Sequence, residues 1–445
     1  MNYYIITYGC QLNRADSERI KTVLESMGYQ SAPKIERAGL IVVNMCSIRQ
    51  SAVNRVYGLV LKFKKIKTQN LKLKTILTGC VLKKDKVKLS KHFDYVLDIK
   101  MLPQWPIFFQ PHKENRIIKK ENCKIKENYL EIKPKYENNF SAFVPIMTGC
   151  NNFCSFCVVP YTRNREISRP VKKIILEIKN LVKKGYKEIW LLGQNVNSYR
   201  GKITIKKKNA KNQTECIGFS KLLKMVNEIE GNFWIRFTSP HPKDFSKDLI
   251  KVMKNCEKYG HYLNLPVQSG DNTILKKMNR KYTIKDYKNL IKEIRKEIPD
   301  ITLSTDVIVG FPGETKKQFE NTVKLFNKIK YDMAYIAEYS PRPQTLAAIK
   351  LKDNVSLEEK TKRRKILTEI LRKTALENNQ KYLKKIVEVL IEKRKKKNVW
   401  LGKTKEYKTI EINSNKNLLG KFVKVKVIKF SCWGLKGKLC QKNLS

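Results

Sequence analysis

The chain has 445 residues, with 93 Lys or Arg against 40 Asp or Glu, and a formal net charge of +53. That length allows about two or three domains with sizeable cores. No stretch has the length and apolarity of a membrane span, and a strand predicted from Tyr3 leaves no room for a signal peptide, which together favour a cytoplasmic protein. The basic excess favours a polyanionic partner such as RNA. Lys-rich compositional drift on solvated faces is an alternative source of the charge.

The first predicted elements are three short, β-branched strands, each closely followed by a cysteine. The strands are predicted at 3–8, 40–44 and 74–78, and the cysteines are Cys10, Cys46 and Cys80. A helical pattern that ends at Gly28 separates the first two strands, and this order predicts a parallel sheet. Because the carboxyl ends of parallel strands meet at one edge, the three thiols are predicted to converge. Three unrelated buried cysteines are the alternative.

Residues 119–139 are polar and weakly patterned, which predicts a linker. Beyond it, Cys150, Cys154 and Cys157 form a C-x3-C-x2-C run, and the nearest histidines in sequence are His112 and His241. Three thiolates on a tight loop suit a cubane iron–sulfur cluster whose fourth iron stays open for a ligand. A structural zinc site adds a fourth Cys or His, and ferredoxin loops supply four cysteines. Zinc binding or accidental thiols are the alternatives.

From residue 140 the chain alternates predicted strands and helices, the pattern of six βα repeats. The strands are predicted at 143–148, 189–192, 234–238, 262–266, 302–309 and 333–339. One helix begins at Pro170 and ends before Gly185, and another spans about 283–297. Residues 201–215, rich in Lys and Asn, are interpreted as a solvated insertion. Gln194 follows the second strand and is predicted to share one mouth with the Cys150 loop.

A charged helix is predicted over 357–385, and the chain then changes to short strands at 387–391, 409–412 and 422–428. The last of these alternates Val and Lys, which is typical of a strand with one wet, cationic face. A small basic β-barrel is therefore predicted. Candidates for contacts with phosphates and bases are Lys424, Lys426, Lys429, Trp400 and Trp433. A solvated face with core tryptophans is the alternative.

The C-x3-C-x2-C run resembles the signature of the radical S-adenosylmethionine (SAM) enzymes. The resemblance implies a partial (β/α)6 barrel and a 4Fe–4S cluster on Cys150, Cys154 and Cys157, with SAM at the open iron. It also implies that Phe156 lies against the SAM adenine and that Gln194 is a SAM ligand. Arg163 and Arg165 follow the loop and are candidate phosphate or substrate contacts. A structural ion pair is the alternative for them.

Motifs across nearly the whole chain resemble the methylthiotransferases, and among them the MiaB-type tRNA enzymes. The matching segments are Thr7-Tyr-Gly-Cys10-Gln-Leu-Asn13, Asn44-Met-Cys46-Ser-Ile-Arg49, Cys157-Val-Val-Pro-Tyr-Thr-Arg163, Leu191-Leu-Gly-Gln-Asn-Val-Asn-Ser-Tyr199, Leu265-Pro-Val-Gln-Ser-Gly270, Gly310-Phe-Pro-Gly-Glu-Thr315 and Tyr339-Ser-Pro-Arg-Pro343. Asn164 stands where this family commonly has Gly, so a positive φ is expected there.

The resemblance implies an α/β protein of three domains. Residues 1–118 form a parallel-sheet domain with an auxiliary 4Fe–4S cluster on Cys10, Cys46 and Cys80. Residues 136–370 form the radical SAM core, and residues 375–441 form a small all-β TRAM domain that binds RNA.

The activity implied is methylthiolation of carbon 2 of N6-isopentenyladenosine at position 37 of tRNA, immediately 3′ of the anticodon. SAM serves as radical source and as methyl donor, and the auxiliary cluster supplies the sulfur. A further implied partner is an electron donor such as flavodoxin or ferredoxin. The rival enzyme hypothesis is a methylthiotransferase acting on threonylcarbamoyladenosine in tRNA. A non-catalytic RNA-binding protein with purely structural clusters is the alternative from another class.

Overall fold

A computed structural model describes residues 1–48, 50–109, 128–205 and 213–440. Outside these ranges lie Arg49 of the motif at Cys46, most of the N-terminal half of the predicted linker, the middle of the predicted 201–215 insertion, and residue 441. Within them, the order of strands and helices confirms the predicted α/β class. No helix among the described residues is long and apolar enough to cross a bilayer.

The N-terminal unit is a five-stranded, all-parallel sheet in the order β2-β1-β3-β4-β5 with helices packed on it. Its elements are β1 Asn2–Tyr8, α1 Gln11–Ser26, β2 Gln30–Ser31, β3 Leu40–Cys46, α2 Gln50–Gln69, β4 Lys74–Cys80, α3 Lys83–Leu89, β5 Tyr95–Val96 and α4 Trp105–Phe108. All three predicted strands are confirmed, and β3 is buried along its whole length as a central parallel strand requires. Gly28, at φ +83°, follows the end of α1 as predicted.

The described end of the predicted linker belongs to the core of the N-terminal unit. Tyr129 is 2% exposed and Leu130 is fully buried, and both pack with Tyr3, Ile20 and other residues around the sheet. The interpretation of this part as a polar linker is therefore wrong. Two apolar side chains in a polar stretch are enough to anchor it, because burying their apolar surface is favourable while the neighbouring polar side chains can stay in water.

The central unit carries six parallel strands in chain order, as βα repeats predict. Its elements are β6 Ser141–Pro145, β7 Met147–Thr148, α5 Val159–Thr162, β8 Ile167–Ser168, α6 Val171–Lys183, β9 Glu188–Leu192, β10 Arg200–Ile205, β11 Gln213–Gly218, α7 Phe219–Asn227, β12 Trp234–Phe237, α8 Lys247–Asn255, β13 Tyr262–Asn264, α9 Asn272–Lys277, α10 Ile284–Glu297, β14 Thr302–Val309, α11 Lys316–Ile329, β15 Met333–Glu338, α12 Leu346–Lys350 and α13 Leu357–Gln380. Strands β6, β9 and β12 pair in one sheet and β13, β14 and β15 in another.

A single parallel bridge between Ile235 and Tyr259 joins the two three-stranded sheets, so the strands follow one another around a partial barrel. The predicted 201–215 insertion is in its described parts an antiparallel hairpin of β10 and β11. The carboxyl ends of the parallel strands open on one mouth, which is where the Cys150 loop and Gln194 emerge.

The C-terminal unit is a closed five-stranded barrel in the order β16-β17-β18-β20-β19. Its strands are β16 Ile386–Lys396, β17 Val399–Thr404, β18 Thr409–Asn413, β19 Phe422–Ser431 and β20 Gly434–Leu439. In β19 the valines are buried while Lys424, Lys426 and Lys429 are exposed, as predicted. Trp400 is a core residue, 5% exposed, whereas Trp433 is 49% exposed. Only the second of these tryptophans can offer a face to a base.

The three units are packed together rather than strung along linkers. Leu12 and Ala15 of α1 share an apolar cluster with Trp190 and Tyr262 of the partial barrel, and Tyr407 of the C-terminal unit packs against it. From the fully buried centre of β12, Arg236 donates to Oε1 of Glu188 (2.6 Å) and to the backbone carbonyls of Thr404 and Lys405. The loop of the C-terminal barrel that follows β17 is thus tied to the inside of the partial barrel.

Candidate functional site

The structure brings Cys10, Cys46 and Cys80 together at the carboxyl edge of the N-terminal sheet; these three are called the auxiliary triad below. Cys46 and Cys80 end neighbouring strands in direct register. Their thiols are hydrogen-bonded, and Cys10 lies close enough to raise the pKa of Cys46 electrostatically. Cys10 caps α1, so its position is set by the start of that helix. The parallel topology alone delivers the three thiols to one edge.

Cys150, Cys154 and Cys157, called the radical triad below, lie on the loop between β7 and α5. The Cys150 N–H donates to the carbonyl of Asn164 (3.1 Å), and the Cys157 N–H donates to that of Cys154 (2.9 Å). Asn164 has φ +65°, as expected from its place in the motif. On the other side, Ser155 donates from its hydroxyl to the carbonyl of Lys277 (2.7 Å), which anchors the loop to α9.

Gly149 is the tightest point of this loop. Its φ is +82°, and an added Cβ would lie 2.0 Å from the carbonyl oxygen of Arg165. We therefore expect Gly149→Ala to lose most of its iron at the radical triad, because the loop has to shift and the left-handed backbone adds about 1–2 kcal/mol. Iron and sulfide content after anaerobic reconstitution measures this. Gly28→Ala is the matched control: its φ is +83° with nothing within 4 Å of the new Cβ, so its iron content should stay unchanged. Equal iron in both variants would contradict the prediction.

Each triad offers three thiols, which is the type of donor that holds iron–sulfur clusters. No group of three or more His, Cys, Asp or Glu side chains in the described part of the chain is arranged to hold one metal ion. A zinc ion needs four ligands at about 2.0–2.3 Å, whereas a cubane gives each thiolate a different iron and holds the sulfurs further apart. Burial raises the pKa of Cys150, and it raises that of Cys157 to about 12, so these thiols release protons when they bind metal.

Each triad also has a buried arginine against one sulfur, which suits the negative charge of a thiolate-bound cluster. Arg280, 8% exposed, donates from Nη1 to Sγ of Cys154 (3.4 Å) and from Nη2 to the carbonyl of Pro266 (3.0 Å). Sequence reasoning missed this residue because its spacing from the triad carries no motif. It lies between α9 and α10, away from the end of any strand, so its position along the chain carried no signal.

Arg163 serves the auxiliary triad from the other domain. It directly follows α5, which comes after the radical triad, is 1% exposed, and donates from Nε to Sγ of Cys80 (2.9 Å). Its Nη2 donates to Oδ2 of Asp16 (2.5 Å) and its Nη1 to the hydroxyl of Tyr129 (2.8 Å). Its interpretation as a phosphate or substrate contact is wrong, and the structural ion pair is correct. Arg165, by contrast, is exposed and stacks over Phe153 at 4.4 Å.

The charges around Cys80 oppose one another. A hydrogen bond from Cys46 is the main cause that lowers the pKa of Cys80; burial raises it, Arg163 lowers it and Asp16 raises it. Although burial lowers the pKa of Arg163, Asp16 and Cys80 raise it well above the ordinary value. Arg163 is therefore a permanent cation in contact with the auxiliary triad.

A second arginine ties the auxiliary triad to the barrel. Arg342, 6% exposed, lies beyond β15 and donates to the backbone carbonyl of Ser47 and to the side chain of Gln50. Ser47 follows Cys46 directly, so the loop of the second auxiliary cysteine is held by the carboxyl end of the sixth barrel strand. Arg163 and Arg342 thus tie the edge of the N-terminal sheet that carries the auxiliary triad to the radical loop and to the end of the sixth barrel strand.

The side of the mouth next to the radical triad presents three buried polar atoms without a partner: Oε1 of Gln194, Oδ1 of Asn195 and Nε2 of His241. Asn195 donates from Nδ2 to Oδ2 of Asp244 (2.8 Å). Asn197 donates from Nδ2 to the backbone carbonyl of His241 (2.9 Å), which joins the loop after β9 to the loop after β12. Burial lowers the pKa of His241 to about 2, with Arg280 and Lys243 adding to the effect, so its imidazole is neutral. Unpaired buried atoms at a barrel mouth are what a polar ligand such as SAM requires.

Of the predicted SAM contacts, Phe156 is half-buried against an apolar cluster that contains Ile274, Met278 and Phe311. Gln194 lies at the carboxyl end of β9 with its unpartnered oxygen. Sequence reasoning missed Asn195 and His241 as site residues, although both follow predicted strands. Position after a strand was the signal that could have found them.

Family models match three successive parts of the chain: an uncharacterized protein family, UPF0004, over residues 2–99, the radical SAM superfamily over 144–326, and the TRAM domain over 380–440. Among solved structures, the radical SAM methyltransferase TsrM from Kitasatospora setae is similar at a TM-score of 0.53 and 12% identity, covering 78% of this chain and 75% of that one. The radical SAM enzyme OxsB is similar at 0.51 and 10%, covering 83% and 56%. These likenesses confirm the fold.

Curated relatives are much closer in sequence. Proteins named tRNA-2-methylthio-N(6)-dimethylallyladenosine synthase are 40% identical in Thermoanaerobacter sp. (strain X514), covering 99% of this chain and 93% of the relative, and 40% identical in Carboxydothermus hydrogenoformans, covering 98% and 99%. The protein of that name from Clostridium tetani is 39% identical, covering 98% and 96%. Identity at this level along nearly the whole of both chains, with the radical SAM and TRAM domains in order, shows that the chain belongs to the MiaB-type family of radical SAM tRNA methylthiotransferases.

Proposed function

We propose that this protein methylthiolates carbon 2 of N6-isopentenyladenosine at position 37 of tRNA, using SAM as radical source and methyl donor. The observation that carries the proposal is the contact between the two cysteine sites: Arg163, which follows the radical loop, donates from Nε to Sγ of Cys80. One triad can generate a reactive species and the neighbouring one can hold sulfur. The names of the curated relatives indicate the substrate.

The six cysteines divide the chemistry between two sites. Cys150, Cys154 and Cys157 would hold the cluster that leaves one iron for SAM, and Cys10, Cys46 and Cys80 would hold the auxiliary 4Fe–4S cluster. With SAM bound, that cofactor supplies the radical that removes hydrogen from an unactivated aromatic carbon, which no side chain can do. Phe156 would pack on the adenine of SAM, and Gln194 would bind it through the oxygen that has no partner in the structure.

Other residues would compensate charge at the two clusters or bind the tRNA. Arg280 and Arg163 would compensate cluster charge at Cys154 and Cys80, to whose sulfurs they donate. Domains at 1–118, 136–370 and 375–441 remain our division of the chain. In the last of these, Lys424, Lys426, Lys429 and the exposed Trp433 form the face that we propose to contact tRNA. Flavodoxin or ferredoxin is the proposed electron donor, and a reducing cytoplasm the proposed setting.

Nucleoside mass spectrometry of tRNA tests the proposal. The gene is expressed in cells that lack their own methylthiotransferase, and we expect isopentenyladenosine to be converted into its 2-methylthio derivative. A variant with Cys150→Ala serves as the negative control made from the same chain. A methylthio derivative of threonylcarbamoyladenosine would instead establish the rival enzyme. Unchanged isopentenyladenosine, in cells where the protein carries both clusters, would overturn the proposed substrate.

A further inference from the structure

Arg163 is the one side chain described here that belongs to the radical loop and contacts a cysteine of the auxiliary triad. It lies six positions after Cys157 in sequence, yet its three hydrogen-bond acceptors are Cys80, Asp16 and Tyr129 of the N-terminal unit. At 1% exposure it is shielded from water, so its charge is felt strongly by the groups it touches.

The charge of Arg163 acts on the same sulfur as the charge of Asp16, but with opposite sign. Arg163 donates from Nε directly to Sγ of Cys80, whereas Asp16, on α1, accepts from Nη2 of the same guanidinium and is itself fully buried. Reduction of an iron–sulfur cluster adds negative charge. A cation or a hydrogen bond at a ligand sulfur therefore makes reduction easier, and an anion makes it harder.

We propose that Arg163 is a positioning residue that sets the reduction potential of the auxiliary cluster through its hydrogen bond to Cys80, with Asp16 limiting how far that potential rises. The inference rests on the assignment of Cys10, Cys46 and Cys80 to that cluster in the proposed function. It adds a function to a residue of the radical loop: the domain that generates the radical also tunes the cluster that holds the sulfur. Docking of the two domains and the electronic state of the auxiliary cluster are thereby linked.

The test uses the full-length chain with Cys150, Cys154 and Cys157 replaced by Ala, so that only the auxiliary cluster remains. Its midpoint potential is measured by anaerobic redox titration followed by electron paramagnetic resonance. We expect Arg163→Gln to lower the midpoint, because the cation is lost, and Asp16→Asn to raise it, because the opposing anion is lost. Arg163→Lys keeps the charge with a single donor group and should fall between Arg163→Gln and the parent.

The opposite signs separate tuning from a purely structural role. Both substitutions break the same buried ion pair, so a structural brace would move both midpoints in the same direction or leave both unchanged, and either result would overturn the proposal. Loss of iron from both Arg163→Gln and Arg163→Lys would also overturn it, since Arg163 would then be needed to build the site. The same substitutions in a chain with the auxiliary triad replaced by Ala should leave the radical cluster's midpoint unchanged.

Failure of this inference is distinguishable from failure of the proposed function. Opposite midpoint shifts in a protein that makes no methylthio nucleoside would leave the inference standing while the substrate proposal fell. Normal nucleoside products from a protein whose midpoints do not shift would leave the substrate proposal standing and overturn this inference.

Discussion

Cys150→Ala is expected to abolish SAM cleavage and base modification together, each by at least about a thousandfold, while the protein keeps about half of its iron. We expect the auxiliary triad to bind the half that remains, because its sheet edge does not depend on the Cys150 loop for its backbone pairing. Release of 5′-deoxyadenosine measures cleavage, nucleoside mass spectrometry measures modification, and colorimetric iron analysis measures cluster content.

The companion variant Cys80→Ala separates the two sites. It should also lose methylthio product, but SAM cleavage should persist, because the radical triad and its Arg280 contact are untouched. Cys216→Ala is the matched control, since this thiol is exposed and lies apart from both triads. It should keep full iron and full activity. Cleavage of SAM by Cys150→Ala, or full modification by Cys80→Ala, would contradict the division of roles.

Arg236→Ala is expected to lower the free energy of unfolding by about 3–5 kcal/mol, the cost of removing one partner from a buried ion pair. Glu188 would be left 2% exposed and without its cation, and the carbonyls of Thr404 and Lys405 would lose their donor. Three aromatic rings, of Trp190, Trp234 and Tyr407, would also lose the guanidinium that lies over them. Urea unfolding followed by circular dichroism measures the change.

The same substitution should make the C-terminal barrel easier to detach, and limited proteolysis should cut the chain between the two units sooner than in the parent. Arg372→Ala is the control: its ion pair with Glu369 spans 3.8 Å and both side chains are more than half exposed, so less than about 1 kcal/mol is at stake. If the two arginine variants unfold alike, Arg236 does not tie the barrels together.

Local pattern was sufficient wherever a physical rule acts over a few residues. The strands before the auxiliary cysteines, the six strands of the partial barrel and the alternation in β19 were all predicted, because side-chain periodicity reports which face is buried. The positive φ at Asn164 could likewise be expected from the motif and is observed at +65°. Convergence of Cys10, Cys46 and Cys80 followed from topology, since parallel strands end at one edge.

Sequence pattern gave no prediction for residues whose contacts lie far away in the chain. The buried positions of Tyr129 and Leu130 were hidden in a polar segment, and Trp400 could be told from Trp433 only after the barrel closed. His241 follows a barrel strand and Arg280 lies between two helices, and neither carries a spacing that marks it. A charged side chain in a sequence gives no indication of whether it meets solvent or a buried sulfur.

By itself, then, the sequence determined the class of enzyme and the order of the three units, because both depend on residue type and on motifs of short-range spacing. The convergence of Cys10, Cys46 and Cys80 could be predicted only through the parallel order of the strands. Only the tertiary structure decided what Arg163 does. Its partners Asp16 and Cys80 are 147 and 83 positions away, and it meets them only because α1 and the end of β4 pack against the radical loop. Burial then turned a residue that the sequence marks as a candidate phosphate contact into a permanent charge beside the Cys80 sulfur, since a buried guanidinium persists only when it is paired.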